Sequence, residues 1–435
     1  MTTILREQRR ATQRDRLLSG MVVAANRDGY AGANVSSVIA EAGVSRPTFY
    51  EYFVDKDDCF RAAIADVHGQ LIVNIEEAVQ NESPELAVYA AIGALVAFAS
   101  SHPTRARFLT NEPLASGPAG LDARDLGIAR IERIIERRGA QLEDDDRVPD
   151  FSGRMILGGI YRMLAARLRR GEPGLIGLGD DLGAWLQCYE CPAATCRWRT
   201  LEAARPPSTS PFVPAEPLSS PRPLPRGRPR IPEQQVAENQ RLRIMFAAAE
   251  IAEEKGYAAT TVGEIARVAG VDGRAFYSIF LDKHDAFMAV HEFGFQHVMH
   301  VTASAFFAGE TWRDRNWEAG RAFTQFLERN PLVAHVGFVE AYAVGPRAAQ
   351  RLEDSQNAFA MLLQEGYQHL GEQTPPSQLA LEAIIATIFE IVYRRARAGG
   401  KASLPALLPH LTFLVLSPFI GPAAANTYID QRLAG

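Results

Sequence analysis

The chain has 435 residues, of which 47% are hydrophobic and 22% charged, and its formal net charge is −5. Such totals describe a globular protein too long for one ordinary core, with roughly two to four domains, and they exclude wholesale coating of nucleic acid. No apolar run reaches the ~18 residues of a membrane helix and no signal peptide opens the chain, so a cytoplasmic protein without membrane contact is expected.

The first stretch is polar and arginine-bearing, with Arg6, Arg9, Arg10, Arg14 and Arg16. It reads either as a solvated arm or, placed before a DNA-binding element, as a phosphate-facing one. A helix is predicted over Asp15–Asp28, closing on Gly29-Tyr30. Then comes NVSSVIAEAGVSRPTFYEYFVDKDDCF, residues 34–60, which the chain writes again with changes at residues 261–287, an offset of 227 positions. A solenoid repeat has a period of about 20–50 residues, so this offset marks a duplicated domain. In each copy an N-cap side chain, Asn34 or Thr261, precedes apolar residues at helical spacing. Gly43 or Gly270 ends that helix, Ser45 or Asp272 caps a second, and Asp55 or Asp282 caps a third. Three caps and one turn glycine predict a helix-turn-helix, whose second helix presents its N-terminal residues to the major groove.

The run Ala-Gly-Val-Ser-Arg-Pro-Thr-Phe-Tyr-x-x-Phe-x-Asp-Lys resembles the DNA-binding head of the TetR family of bacterial transcriptional regulators. The resemblance covers about a quarter of the chain, both heads included. It implies an all-α protein built from two copies of a head followed by a helical body that holds a ligand cavity and dimerises. The expected division is a first head at 1–60, a first body at 61–200, a linker at 201–235, a second head at 236–287 and a second body at 288–435.

Helical patterns continue over Asp55–Gln80, Glu85–Ser101, Leu121–Arg138, Phe151–Arg170 and Gly179–Cys191. Cys188, Cys191 and Cys196 have a spacing that could serve metal or redox chemistry, but no fourth ligand lies nearby, and reduced thiols are the simpler reading. Cys59 sits in an apolar register and reads as core. Residues 203–232 are too proline-rich for helix and read as a semi-rigid linker with a maximum reach of about 90 Å. Within it Arg226-Gly227-Arg228-Pro229-Arg230 resembles the AT-hook core, which would send Arg228 and Arg230 into a minor groove. The second body repeats the first faintly: His102-Pro103 and Gly117-Pro118 return as Asn330-Pro331 and Gly345-Pro346. Its helices are predicted over Asp282–Phe307, Trp317–Glu328, Gln350–His369, Ser377–Arg397 and Leu404–Leu416, with more aromatic residues than the first body.

For base readout the first head offers Arg46, Pro47 and Thr48, where a guanidinium can donate two parallel bonds to guanine. The resemblance gives Tyr50 and Lys56 phosphate contacts, and Ser36 and Ser37 open the preceding helix. The second head keeps Tyr277 and Lys283, adds Ser278 as a candidate contact, but has Gly273-Arg274-Ala275 where base contacts are expected, and Glu264 in place of Ser37. Base readout there rests on Arg274, and the two heads are not expected to read one half-site. Phe108 and Tyr161, and Phe338 and Tyr342, are candidate ligand-lining residues of the two bodies. No P-loop, paired-histidine metal motif or nucleophile elbow is present, so the expectation is a regulator and not an enzyme, without cofactor. Its partners would be an operator duplex and a small-molecule effector. The halves would pair within one chain, or two tandem chains would dimerise. The alternative is a regulator whose first head alone binds DNA, the second half serving ligand binding or oligomerisation.

Overall fold

The computed structural model describes residues 2–141, 151–171, 175, 177–190, 216–224, 231–370, 375–398 and 403–434. Its regular elements are all helical, and the chain divides into two compact units, Met1–Gln187 and Cys188–Gly435.

In the first unit α1 spans Thr2–Gly32, so the arginine-rich start is part of a helix and not a separate arm. The helix breaks at Gly29, whose φ of 70° and ψ of 162° suit a residue without Cβ. α2 (Val35–Ala42) and α3 (Arg46–Tyr52) complete the head. All three predicted caps form: Asn34 accepts from the Ser37 amide, Ser45 from Thr48 and Asp55 from Asp58. Each such cap contributes about 1 kcal/mol. Gly43 closes α2 in the left-handed region, φ 59°. Phe49 and Phe53 are buried in the head, as the spacing predicts.

The first body comprises α4 (Lys56–Gln80), α5 (Ala87–Ser101), α6 (Pro103–Ala115), α7 (Pro118–Gly139), α8 (Phe151–Arg170) and α9 (Leu178–Gln187). One expectation is corrected here: residues 84–101 are long and apolar enough to cross a membrane. The reason is core packing, since Ala91, Ile92, Leu95, Phe98 and Ala99 of α5 are buried and the helix lies against α4. Another helix, α6, was not anticipated. Cys59 is buried, and burial pushes its thiol up to about 12, as befits a core residue.

The second unit repeats the head as α10 (Glu233–Lys255), α11 (Val262–Ala269) and α12 (Gly273–Ile279). Thr261, Asp272 and Asp282 supply its caps, and Gly270 its left-handed turn, φ 62°. Its body runs through α13 (Lys283–Ala308), α14 (Trp312–Arg329) and α15 (Pro331–His335). A π-helical turn follows over Val336–Glu340, then α16 (Ala341–Val344), α17 (Pro346–Leu363), α18 (Gln378–Arg397), α19 (Leu408–Ile420) and α20 (Pro422–Ala434). Part of the proline-rich stretch, 216–224, lies on this unit and is not a free spacer. The Leu218 amide donates to Asn330 Oδ1 at 2.7 Å, and Asn239 Nδ2 donates to the Arg222 carbonyl at 3.1 Å. Tyr189, also of this unit, is buried and donates to the Leu414 carbonyl at 2.9 Å. Among the described residues no group of three His, Cys, Asp or Glu could hold a metal. Cys191 and Cys196 lie outside the described residues.

Candidate nucleic-acid interface

The turn between the two short helices is built alike in both heads. Arg16 Nη2 donates to the Gly43 carbonyl at 2.9 Å, and Arg243 Nη2 to the Gly270 carbonyl at 3.2 Å. Both contacts join positions 27 apart in sequence. A Cβ on either glycine would stand 2.6 Å from that guanidinium, so the glycine serves both the backbone angle and the latch. Two residues earlier, Arg14 and Arg241 lie over the Phe53 and Phe280 rings, each at 5.9 Å. Arg14 and Arg16 read from sequence as part of an arm, and the structure uses them and their copies inside the heads. Their signal was available, since all four recur at the repeat offset.

The residues proposed for base contact are turned outward. Arg46 and Pro47 are exposed at the start of α3, and Thr48 is half-buried with its hydroxyl 2.8 Å from Ser45 Oγ. Tyr50, one turn on, is 51% exposed although its ring meets Phe49 edge-on, so it is held yet available. Ser36 is exposed, while Ser37 is partly spent: its hydroxyl donates to the Asn34 carbonyl and accepts from the Asn34 amide. In the second head Arg274 is exposed, Tyr277 is 61% exposed, and the Ser278 hydroxyl donates to the Ala275 carbonyl at 2.8 Å. Glu264 is engaged within its own head. It pairs with Lys255 and closes a capping box with Thr261, which together hold its carboxyl down at about 2. The Thr-x-x-Glu spacing is the sequence sign of that box. Arg228 and Arg230 lie outside the described residues.

Lys56 and Lys283 are engaged from behind. Lys56 Nζ donates to the Tyr30 carbonyl at 3.0 Å and sits 4.1 Å from the Tyr30 ring centroid. Lys283 donates to the carbonyls of Tyr257, Ala258 and Thr260 at 3.1, 3.3 and 3.0 Å, matching all three of its protons, and burial lowers its pKa. The same tyrosines are gripped from the body. The Tyr30 amide donates to Glu112 Oε2 of α6 at 2.8 Å, and the Tyr257 amide to Glu340 Oε2 of the π turn at 2.8 Å. Each carboxyl is buried, and burial raises the Glu112 pKa above the ordinary carboxylate value. The close of the head's first helix is thus a clasp, with carbonyl to the lysine that opens α4 or α13 and amide to a body glutamate. Sequence reading missed both glutamates.

The bodies differ where ligand-lining residues were expected. In the first, Phe108 is fully buried against Phe60, ring centroids 5.3 Å apart. Tyr161 is buried with its hydroxyl 3.3 Å from His68 Nε2. In the second, Phe338 lines a cavity with Val290, His291, Phe295, Leu352 and Phe389 that holds about 400 Å³ of empty space, part of it open to solvent. Tyr342 is buried two residues beyond the π turn. A second cleft, holding about 610 Å³ on the same terms, adjoins it through Phe359 and Phe389.

The sequence model for bacterial regulatory proteins of the tetR family matches residues 20–63 and again residues 244–290, the two heads just described. No curated protein matches the chain. Similar solved structures include the fatty acid degradation regulator FadR from Bacillus halodurans, 22% identical, covering 40% of this chain and 96% of that one, TM-score 0.36. FadR from Bacillus subtilis, solved with stearoyl-CoA, is 23% identical over 41% of this chain and 98% of that one, TM-score 0.37. A tetR-family regulatory protein from Rhodococcus RHA1 is 23% identical over 42% and 97%, TM-score 0.37. The chain thus carries the DNA-binding unit of the tetR family of transcriptional regulators twice, as two tetR-like units in tandem.

Proposed function

We propose that the chain is a ligand-released repressor whose two heads read the two parts of an asymmetric operator, with the halves paired inside one chain. The observation that carries this reading is the pair of recognition helices, capped and turned at matching positions but bearing different outward residues: Arg46, Pro47 and Thr48 against Gly273, Arg274 and Ala275. Arg46 and Arg274 supply base contacts. Ser36, Ser37, Tyr50, Tyr277 and Ser278 meet phosphate, while Lys56 and Lys283 set the start of α4 and α13 against the phosphate backbone. Arg228 and Arg230 enter the minor groove beside the second head. Fusion supplies a high effective concentration of one half for the other. A molecule that binds a body better when the heads are off DNA weakens DNA binding by the same coupling factor.

The test is selection of bound fragments from random duplex DNA at a stated salt concentration, followed by shift assays with variants. An asymmetric site is expected. Arg46→Ala should cost about 1–3 kcal/mol on one part of it, and Arg274→Ala should relax the other. A palindromic site, or a site indifferent to Arg274→Ala, would favour the reading in which only the first head binds. A stable two-chain particle at low micromolar concentration would reject pairing within the chain.

A further inference from the structure

The smaller cavity of the second body has one polar side chain that nothing occupies. His291, on α13, is 8% exposed and lines the cavity, and neither of its ring nitrogens has a hydrogen-bond partner among the described residues. The other polar lining residue, Ser355, already donates to the Arg351 carbonyl at 2.8 Å. No Asp, Glu, Lys or Arg lines the space, and the walls include Phe295, Phe338, Phe359 and Phe389. Burial lowers the imidazole pKa, so the ring is neutral and offers one donor and one acceptor. At the matching position the first unit has Ile64, which is buried.

One wall of this cavity is the π turn, through Val336, Gly337 and Phe338. Two residues past Phe338, the same turn ends in Glu340, which holds the Tyr257 amide of the second head. A π turn places an extra residue in a helix and is found frequently at functional sites. The matching segment of the first body is uninterrupted α-helix within α6.

We propose that this cavity binds a neutral aromatic molecule with a single hydrogen-bonding group received by His291, and that occupancy displaces the π turn and frees the head at Tyr257. The inference deepens the ligand-released reading above by naming the ligand class and the route. An anionic ligand is disfavoured because no cation lines the space and its desolvation goes uncompensated. Charge-free recognition leaves orientation to one hydrogen bond inside apolar walls. The larger adjoining cleft contains no residue of the π turn, so it has no comparable path to the head.

The probes are naphthalene, 1-naphthol and 1-naphthoate, equal in ring size and different in polar group, titrated by fluorescence into the full chain at neutral pH. We expect 1-naphthol to bind about tenfold more tightly than either of the others. His291→Ile should bring 1-naphthol down to the affinity of naphthalene and leave naphthalene unchanged, which also shows the cavity intact. In hydrogen exchange, saturating 1-naphthol should speed the Tyr257 amide about tenfold and leave the Tyr30 amide alone. Tightest binding by 1-naphthoate, no binding by any probe, an unchanged series in His291→Ile, or an unmoved Tyr257 amide would each overturn the proposal. Duplex binding is measured in the same preparations without probe. Loss of that binding alone would sink the operator reading and leave this one standing, and the reverse also holds.

Discussion

The two halves agree where the head meets its body and differ at the centre of the body. At the junction, the lysine, tyrosine and glutamate of the clasp recur in both with amide-to-carboxylate distances of 2.8 Å. In the body, His68, Arg124 and Tyr161 of the first half stand at the positions of Phe295, Leu352 and Phe389 in the second. The first set is a buried polar group. Tyr161 meets His68, and Arg124, 1% exposed, lies 5.7 Å from the Tyr161 ring centroid and pairs with Asp125 at 2.9 Å. The second set lines an apolar cavity. Duplication left the mechanical link fixed and let the interiors change, which places any division of labour between the halves in their bodies and recognition helices.

The sharpest way to break this comparison is at a place where the heads look equal and are not. Gly20 packs its helix so close to α2 that a Cβ would stand 2.8 Å from the Val38 carbonyl, whereas the second head has Ala247 at the same position. Gly20→Ala should destabilise the first half by about 3 kcal/mol, at the upper end of overpacking costs, while Ala247→Gly costs the second under about 1 kcal/mol. Denaturant unfolding measures both, and equal effects would show that the heads pack alike. Next in size is the clasp. Glu112→Ala and Glu340→Ala each leave a tyrosine amide without its acceptor, and each should cost about 2 kcal/mol. Glu340→Ala should cost slightly more, because His335 Nε2 also lies 3.3 Å from that carboxyl. Local hydrogen exchange at Tyr30 and Tyr257 would report both.

Smaller still is a pH effect confined to the first body. Burial first, and then Arg124 and Arg130, push the His68 imidazole down to about 3. Between that value and the ordinary 6.5 the unfolded chain binds the proton and the folded chain does not, so stability falls as pH falls through this window. From pH 7.5 to 5.5 the loss should be about 1.4 kcal/mol. His68→Phe, the residue found in the second half, should remove that slope. A slope that survives the substitution would place the titrating group elsewhere.

Much of this was legible in the chain itself. Caps and turn glycines act within four residues, so Asn34, Gly43, Ser45 and Asp55 and their copies could be assigned from local pattern alone. Long helices with one buried stripe, such as α4, were equally plain. What stayed hidden was the helix after Pro103 and its counterpart after Pro331. α6 buries Thr110, Asn111, Glu112 and Pro113 together, so it lacks the apolar stripe that betrays a surface helix. The clasp glutamates sit on those two segments, and a carboxylate whose partner is a backbone amide 82 or 83 residues away leaves no local sign. The latch arginines were misread for a related reason, since clustering of charge suggests phosphate while their targets are carbonyls 27 residues on.

Because the outward residues of α3 and α12 are written at separate places on one chain, a substitution in either recognition helix is not copied into the other. A regulator assembled from identical subunits must change both contact surfaces at once and can only trade one mirrored address for another. Here each address word can drift by single mutations while its neighbour keeps its spelling.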